Sequence, residues 1–175
     1  MIGGIENSGA MDMTVELLTA TVMVLTTVGL HAVGLLTLGR VLAAGDARAG
    51  RGQAVRLNPL SPRGAAYTVT VVLGLFILHG VEIWLYAVLF YLLGAVPDLR
   101  EAVYFSSISY SSIGYGDASI DPDWKLLGAI EGINGAILLG WTVAFFVAVM
   151  GRLLPTGERG LSLIHISEPT RLRRI

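Results

Sequence analysis

Residues 97–117 read PDLREAVYFSSISYSSIGYGD. Pro97 cannot continue a helix arriving from upstream. Asp98 with Glu101 three residues later has the spacing of a capping box. The spacing predicts a helix over residues 99–111, about 13 residues and about 20 Å long. A hydrocarbon core of about 30 Å is too thick for it to cross. SSIGYGD, residues 111–117, follows at once, with Gly114 and Gly116 alternating with Ile113 and Tyr115. A short helix with a glycine-rich return places non-helical backbone at membrane depth. Such backbone survives only where protein buries it or water lines it.

Membrane depth is implied by what lies on either side. Residues 17–39 carry no charge, residues 64–96 only Glu82, and residues 132–151 none. Each run supplies the roughly 20 apolar residues that a spanning helix needs. We expect transmembrane helices over 14–39, 64–96 and 126–152, with the short helix and its glycine-rich return over 97–125. Composition agrees: 54% of the 175 residues are hydrophobic and 14% charged, and mean hydropathy is +0.69. A soluble enzyme, a nucleic-acid binder and a disordered regulator are excluded on that ground. Twelve basic against thirteen acidic residues leave no excess for nucleic acid. The absence of cysteine removes disulfides and thiolate sites.

The loop over 40–63 carries Arg40, Arg48, Arg51, Arg56 and Arg63 against Asp46, and Arg152 and Arg159 follow the last span. By the positive-inside rule both should be cytoplasmic. The stretch 1–13, acidic and without a base, is expected outside. Glycines and prolines make the 40–63 loop irregular by expectation. The tail is 153–175. Within it LSLIHISEPTR, residues 161–171, resembles a translated sequencing-library adapter. Residues 161–175 are therefore set aside as an artefact.

Glycine takes positive φ at little steric cost. A stretch alternating left- and right-handed conformations aims successive carbonyls the same way. Four chains about one axis would stack these as oxygen rings that replace a cation's hydration shell. AVYFSSISYSSIGYGD, residues 102–117, resembles the pore helix and selectivity filter of potassium channels. HGVEIWLYAVLFYLLGA and EGINGAILLGW, residues 79–95 and 131–141, are also similar to stretches of bacterial ion channels of this superfamily. The resemblance implies an all-α membrane protein: three transmembrane helices, a re-entrant pore helix and a tetrameric pore. It implies that Ser112, Ile113, Gly114 and Tyr115 supply the K⁺-coordinating oxygens, with Gly116 and Asp117 at the outer mouth. Ser112 stands where the family usually has Thr, and Ile113 replaces the common Val. Tyr104 and Phe105 replace a frequent Trp pair, which loosens the expected cuff around the filter.

The implied activity is passive K⁺ conduction by a homotetramer in the plasma membrane, with no enzyme chemistry. No cofactor, nucleic acid or small-molecule substrate is expected; the partners are K⁺, lipid and identical copies. Two alternatives stay open. One is a poorly selective cation channel, distinguished by reversal potentials in K⁺/Na⁺ mixtures. The other is a non-conducting modulatory subunit, distinguished by cross-linking and by flux in liposomes. Asp98, Glu101, Asp117, Asp121 and Asp123 against Arg100 and Lys125 leave a net −3 near the mouth, which concentrates cations.

Glu82 and Glu131 lie within spans, where charge is expensive. Glu82 shares a helix face with His79. It is expected near the outer interface as a structural link, with a proton-sensitive pair behind the filter as the sharper alternative. Glu131, six residues after Lys125, is expected high in the membrane, and Asn134 on the same helix face is one candidate partner for it. His31 is expected to pack or hydrogen-bond. Trp84, Tyr86, Tyr91 and Trp124 are read as an interfacial belt and Trp141 as packing. Gly128, Gly132, Ala136, Gly140, Ala144 and Ala148 recur every four residues, a small-residue ridge suited to close helix crossing. Gly135 and Gly140 are hinge candidates.

Overall fold

The computed structural model describes residues 6–48, 61–114 and 120–151, all helix or connecting turns. Helix α1 is Glu6–Arg48, α2 is Pro62–Leu92, α3 is Leu99–Tyr110 and α4 is Lys125–Gly151, the last entered through a 3₁₀ turn at Pro122–Trp124. Met13–Gly45, Pro62–Leu92 and Pro122–Gly151 are long and apolar enough to cross a membrane. The chain is thus an all-α, multi-pass membrane protein with three spans and a fourth, shorter helix between the last two.

The helix ends show the local physics. Helix α1 overruns the expected 14–39 at both ends, because Val41, Leu42, Ala43 and Ala44 are compatible with helix beyond Gly39. The expected loop is shortened accordingly. Ser61 caps α2, its hydroxyl accepting from the Gly64 amide at 3.1 Å, and Pro62 sits in the first turn where no amide donor is needed. At its other end α2 stops at Leu92, short of the expected Val96. Pro97 is not the terminator. Gly94 turns left-handed at φ +67, and the Ala95 amide reaches back to the Phe90 carbonyl at 3.0 Å, a Schellman closure. Asp98 Oδ1 accepts from the Glu101 amide at 2.9 Å, the capping bond expected for α3.

Lipid tails are as apolar as leucine, so close packing and hydrogen bonds across helices hold such a bundle. Helix α3 lies against α2 and α4. Around it Tyr86, Phe90, Ala102, Phe105 and Leu127 form one buried cluster, where Phe105 meets Phe90 edge-on at 5.2 Å. A second cluster, Leu35, Leu42, Val71, Leu75 and Val149, closes the far end. Polar cross-ties run between them. Glu16 Oε1 accepts from the Leu127 amide at 2.8 Å, so a side chain of α1 caps the start of α4. Asn134 Nδ2 donates to Thr27 Oγ1 at 2.8 Å and to Tyr86 at 3.3 Å. Tyr86 is therefore a buried structural residue, not part of an interfacial belt; Trp84 and Tyr91 are exposed as a belt requires.

Candidate pore segment

The end of α3 is held against α4 at close range. A Cβ built on Gly135 would stand 2.1 Å from the Tyr110 carbonyl oxygen, and one on Gly132 would stand 3.1 Å from that of Ser109. These two glycines let the backbones touch. Ser109 Oγ donates to the Gly128 carbonyl at 2.6 Å, so three successive turns of α4 receive the last turn of α3. The small-residue ridge thus divides: Gly128 and Gly132 pack on α3 of the same chain, whereas Ala136, Gly140, Ala144 and Ala148 are exposed.

Past Tyr110 the chain stops being helical without leaving the helix end. Ser111 caps α3. The Ile108 carbonyl then accepts from both the Ile113 amide, at 2.9 Å, and the Gly114 amide, at 3.1 Å. Ser112 and Gly114 are left-handed, φ 59 and 72, with Ile113 between them. Serine at positive φ is strained by about 1–2 kcal/mol, and such strain persists only where surroundings over-determine it. Here the Ser112 amide is held by the Ser109 carbonyl at 2.8 Å and its hydroxyl donates to the Gly132 carbonyl at 3.2 Å. That hydroxyl, as donor, still has its lone pairs open as acceptors. Ser112, Ile113 and Gly114 are exposed, and Ser112 and Gly114 border an open groove of about 490 Å³ between α3 and α4. The carbonyl end of α3 faces this stretch, a partial negative charge that favours a cation. Tyr115, Gly116 and Asp117 lie outside the described residues.

The buried acids support this end from behind. Glu131 Oε1 lies 2.5 Å from Ser106 Oγ, and Ser106 Oγ lies 2.9 Å from the Ile83 carbonyl. One hydroxyl proton cannot serve two acceptors. A carboxyl proton on Glu131 donating to Ser106, which donates to Ile83, satisfies both. Glu131 Oε2 has no partner, as a neutral carboxyl tolerates better than a carboxylate. Asn134 is not the partner of Glu131; a side chain three positions along the helix was outcompeted by Ser106 across the interface. Nor does Glu82 reach the interface: it is fully buried. Its Oε1 meets His31 Nδ1 at 2.9 Å and its Oε2 lies 3.3 Å from His79 Nδ1. The Tyr110 hydroxyl donates to Glu82 Oε2 and lies 2.9 Å from His79 Nδ1. Thr142 Oγ1 lies 2.8 Å from His79 Nε2 and 3.3 Å from His31 Nε2. Tyr110 and Thr142 carry no sequence signal for these roles, since their partners are 28 to 111 positions away. Phe105 turns into the subunit core while Tyr104 is 54% exposed.

Comparison with known proteins agrees with this geometry. Residues 76–152, from mid-α2 past the end of α4, match the family model described as ion channel. No curated protein and no solved structure matches. The matched segment takes in the latter half of the second span, the short helix, the left-handed turn and the third span together. Over residues 76–152 the chain is therefore similar to the ion channel family, in keeping with the potassium-channel-type superfamily that residues 102–117 resemble.

Proposed function

We propose that this ion channel is a potassium-selective pore, a homotetramer in which residues 112–115 of each copy line a common axis. The observation that carries the reading is the left-handed pair Ser112 and Gly114 around Ile113, set directly on the carbonyl end of α3. That alternation is the conformational requirement for carbonyls pointing one way. A second feature supports assembly. Ser112, Ile113 and Gly114 are open along one face of the chain, and non-helical backbone cannot face lipid. Further copies around a water-filled axis satisfy it.

In this reading Ser112, Ile113, Gly114 and Tyr115 replace potassium's hydration shell, and Gly116 and Asp117 shape the outer mouth. Acidic residues there concentrate cations in a salt-dependent way. Conduction is passive and needs no cofactor. The N-terminus faces out and the arginine-bearing loop and C-terminus face the cytoplasm of a cell whose plasma membrane holds the channel.

The test is flux from liposomes containing the purified chain truncated at Gly160. K⁺ efflux that exceeds Na⁺ efflux, a K⁺-shifted reversal potential in bi-ionic recordings, and cross-linking to four copies are expected. Equal permeabilities refute selectivity, and a stable monomer refutes the assembly.

A further inference from the structure

Helices α1, α2, α3 and α4 meet at one buried polar cluster that conduction does not explain. We propose that His31, His79 and Glu82, with the Tyr110 phenol as fourth donor, form a binding site for a divalent transition metal of the zinc class. The three ligand atoms all lie within 4.8 Å of one another. A tetrahedral zinc with bonds of about 2.0–2.2 Å places its ligands about 3.3 Å apart. The separations here are 2.9 Å for His31 Nδ1 to Glu82, 3.3 Å for His79 Nδ1 to Glu82 and 2.9 Å for His79 Nδ1 to Tyr110. An ion enters by spreading these groups, least between His79 and Glu82, and most between Tyr110 and Glu82, whose short hydrogen bond it replaces.

The tautomers fit as well. Both rings turn Nε2 to one atom, Thr142 Oγ1, at 2.8 and 3.3 Å. A hydroxyl oxygen can accept from two N–H groups. Thr142 can therefore hold both imidazoles as the Nε2–H tautomer, the form that leaves both Nδ1 lone pairs free for an ion beside the Glu82 carboxylate. Fixing the remote nitrogen through a hydrogen bond is what a protein does for a metal-bound histidine. Two imidazoles and two oxygens suit zinc, copper or nickel better than calcium or magnesium. Metal binding would release the Tyr110 phenolic proton to solvent; with Glu82 ionised and Tyr110 as phenolate the loaded site is neutral, which matters where charge is expensive. His31 and Glu82 are fully buried and Trp141 covers the His31 ring at 5.3 Å; the His79 side chain, 13% exposed, is the way in. The ion would staple α1 and α2 to α3 two residues before Ser112.

The experiment uses the full chain, purified without a polyhistidine tag, stripped with chelator and titrated with Zn²⁺ calorimetrically and with Co²⁺ optically. One Zn²⁺ per chain and a tetrahedral Co²⁺ spectrum are expected. His31→Gln and Glu82→Gln should each weaken binding at least about tenfold. His165→Ala, in the tail, should leave it unchanged. X-ray absorption of the zinc-loaded wild-type chain, which needs no variant to fold, should show two imidazole nitrogens. Uptake at background level, a spectrum lacking two imidazoles, or binding lost with His165 alone overturns the site and assigns the cluster to protons only. Metal content is read independently of ion flux, so failure here leaves the potassium reading untouched.

Discussion

Gly135→Ala puts a methyl group where the structure has none to spare. Its Cβ would stand 2.1 Å from the Tyr110 carbonyl oxygen, 2.9 Å from the carbonyl carbon and 3.0 Å from Cα. The obstacle is backbone, so no rotamer relieves it. Reaching even 3.0 Å from the oxygen requires α3 and α4 to part by at least 0.9 Å. Ser109 Oγ to Gly128 and Ser112 Oγ to Gly132, at 2.6 and 3.2 Å, cross the same seam and would stretch together. Overpacking of this kind costs about 1–3 kcal/mol, a factor of about 5 to 150 in the ratio of intact to displaced seam. Because Tyr110 lies two residues before Ser112, the displacement lands on the left-handed turn. The assay pairs thermal unfolding of the purified chain with ion flux from liposomes. Gly135→Ala should unfold earlier and conduct less, while Gly140→Ala, whose Cβ meets nothing within 4 Å, should be at least as stable as wild type. A Gly135→Ala protein with unchanged melting and flux would refute the close-approach argument.

Other substitutions probe separate parts. Gly114→Ala forces a left-handed alanine at about 1–2 kcal/mol; flux should fall while the helical circular dichroism stays. Glu131→Gln can still donate to Ser106 and should melt within about 1 kcal/mol of wild type, whereas Glu131→Ala should lose about 1–3 kcal/mol; the reverse ranking would show that the carboxyl does not act as donor. Glu16→Ala removes the acceptor of the Leu127 amide, costing about 1 kcal/mol, and should speed hydrogen exchange in the first turn of α4; unchanged exchange contradicts the cap. If Gly140 is a hinge, Gly140→Ala shifts single-channel open probability, and unaltered gating removes that role.

The spans, the short helix, its Asp98 cap and the left-handed Gly114 were legible, because each depends on neighbours in sequence: apolar run length, a side chain three positions from an amide, a residue with no Cβ to oppose positive φ; the left-handed Ser112 was not, because Ser109 and Gly132 hold it there. Helix ends were less legible. Pro97 is a conspicuous breaker, yet Gly94 ends α2 first, and nothing local stops α1 at residue 39. The polar interior was the least legible. Periodicity puts Asn134 beside Glu131 and His79 beside Glu82, and that sufficed for one of the two pairs. Glu131 bonds instead to Ser106, and His31 arrives at Glu82 from another helix. Sequence by itself determined that this chain crosses a membrane and carries a half-length helix ending in a left-handed turn, since hydrophobicity and backbone sterics act over a few residues. Only the tertiary structure decided which buried polar groups meet. In lipid each must find a partner, and the nearest one in space is set by how the helices cross.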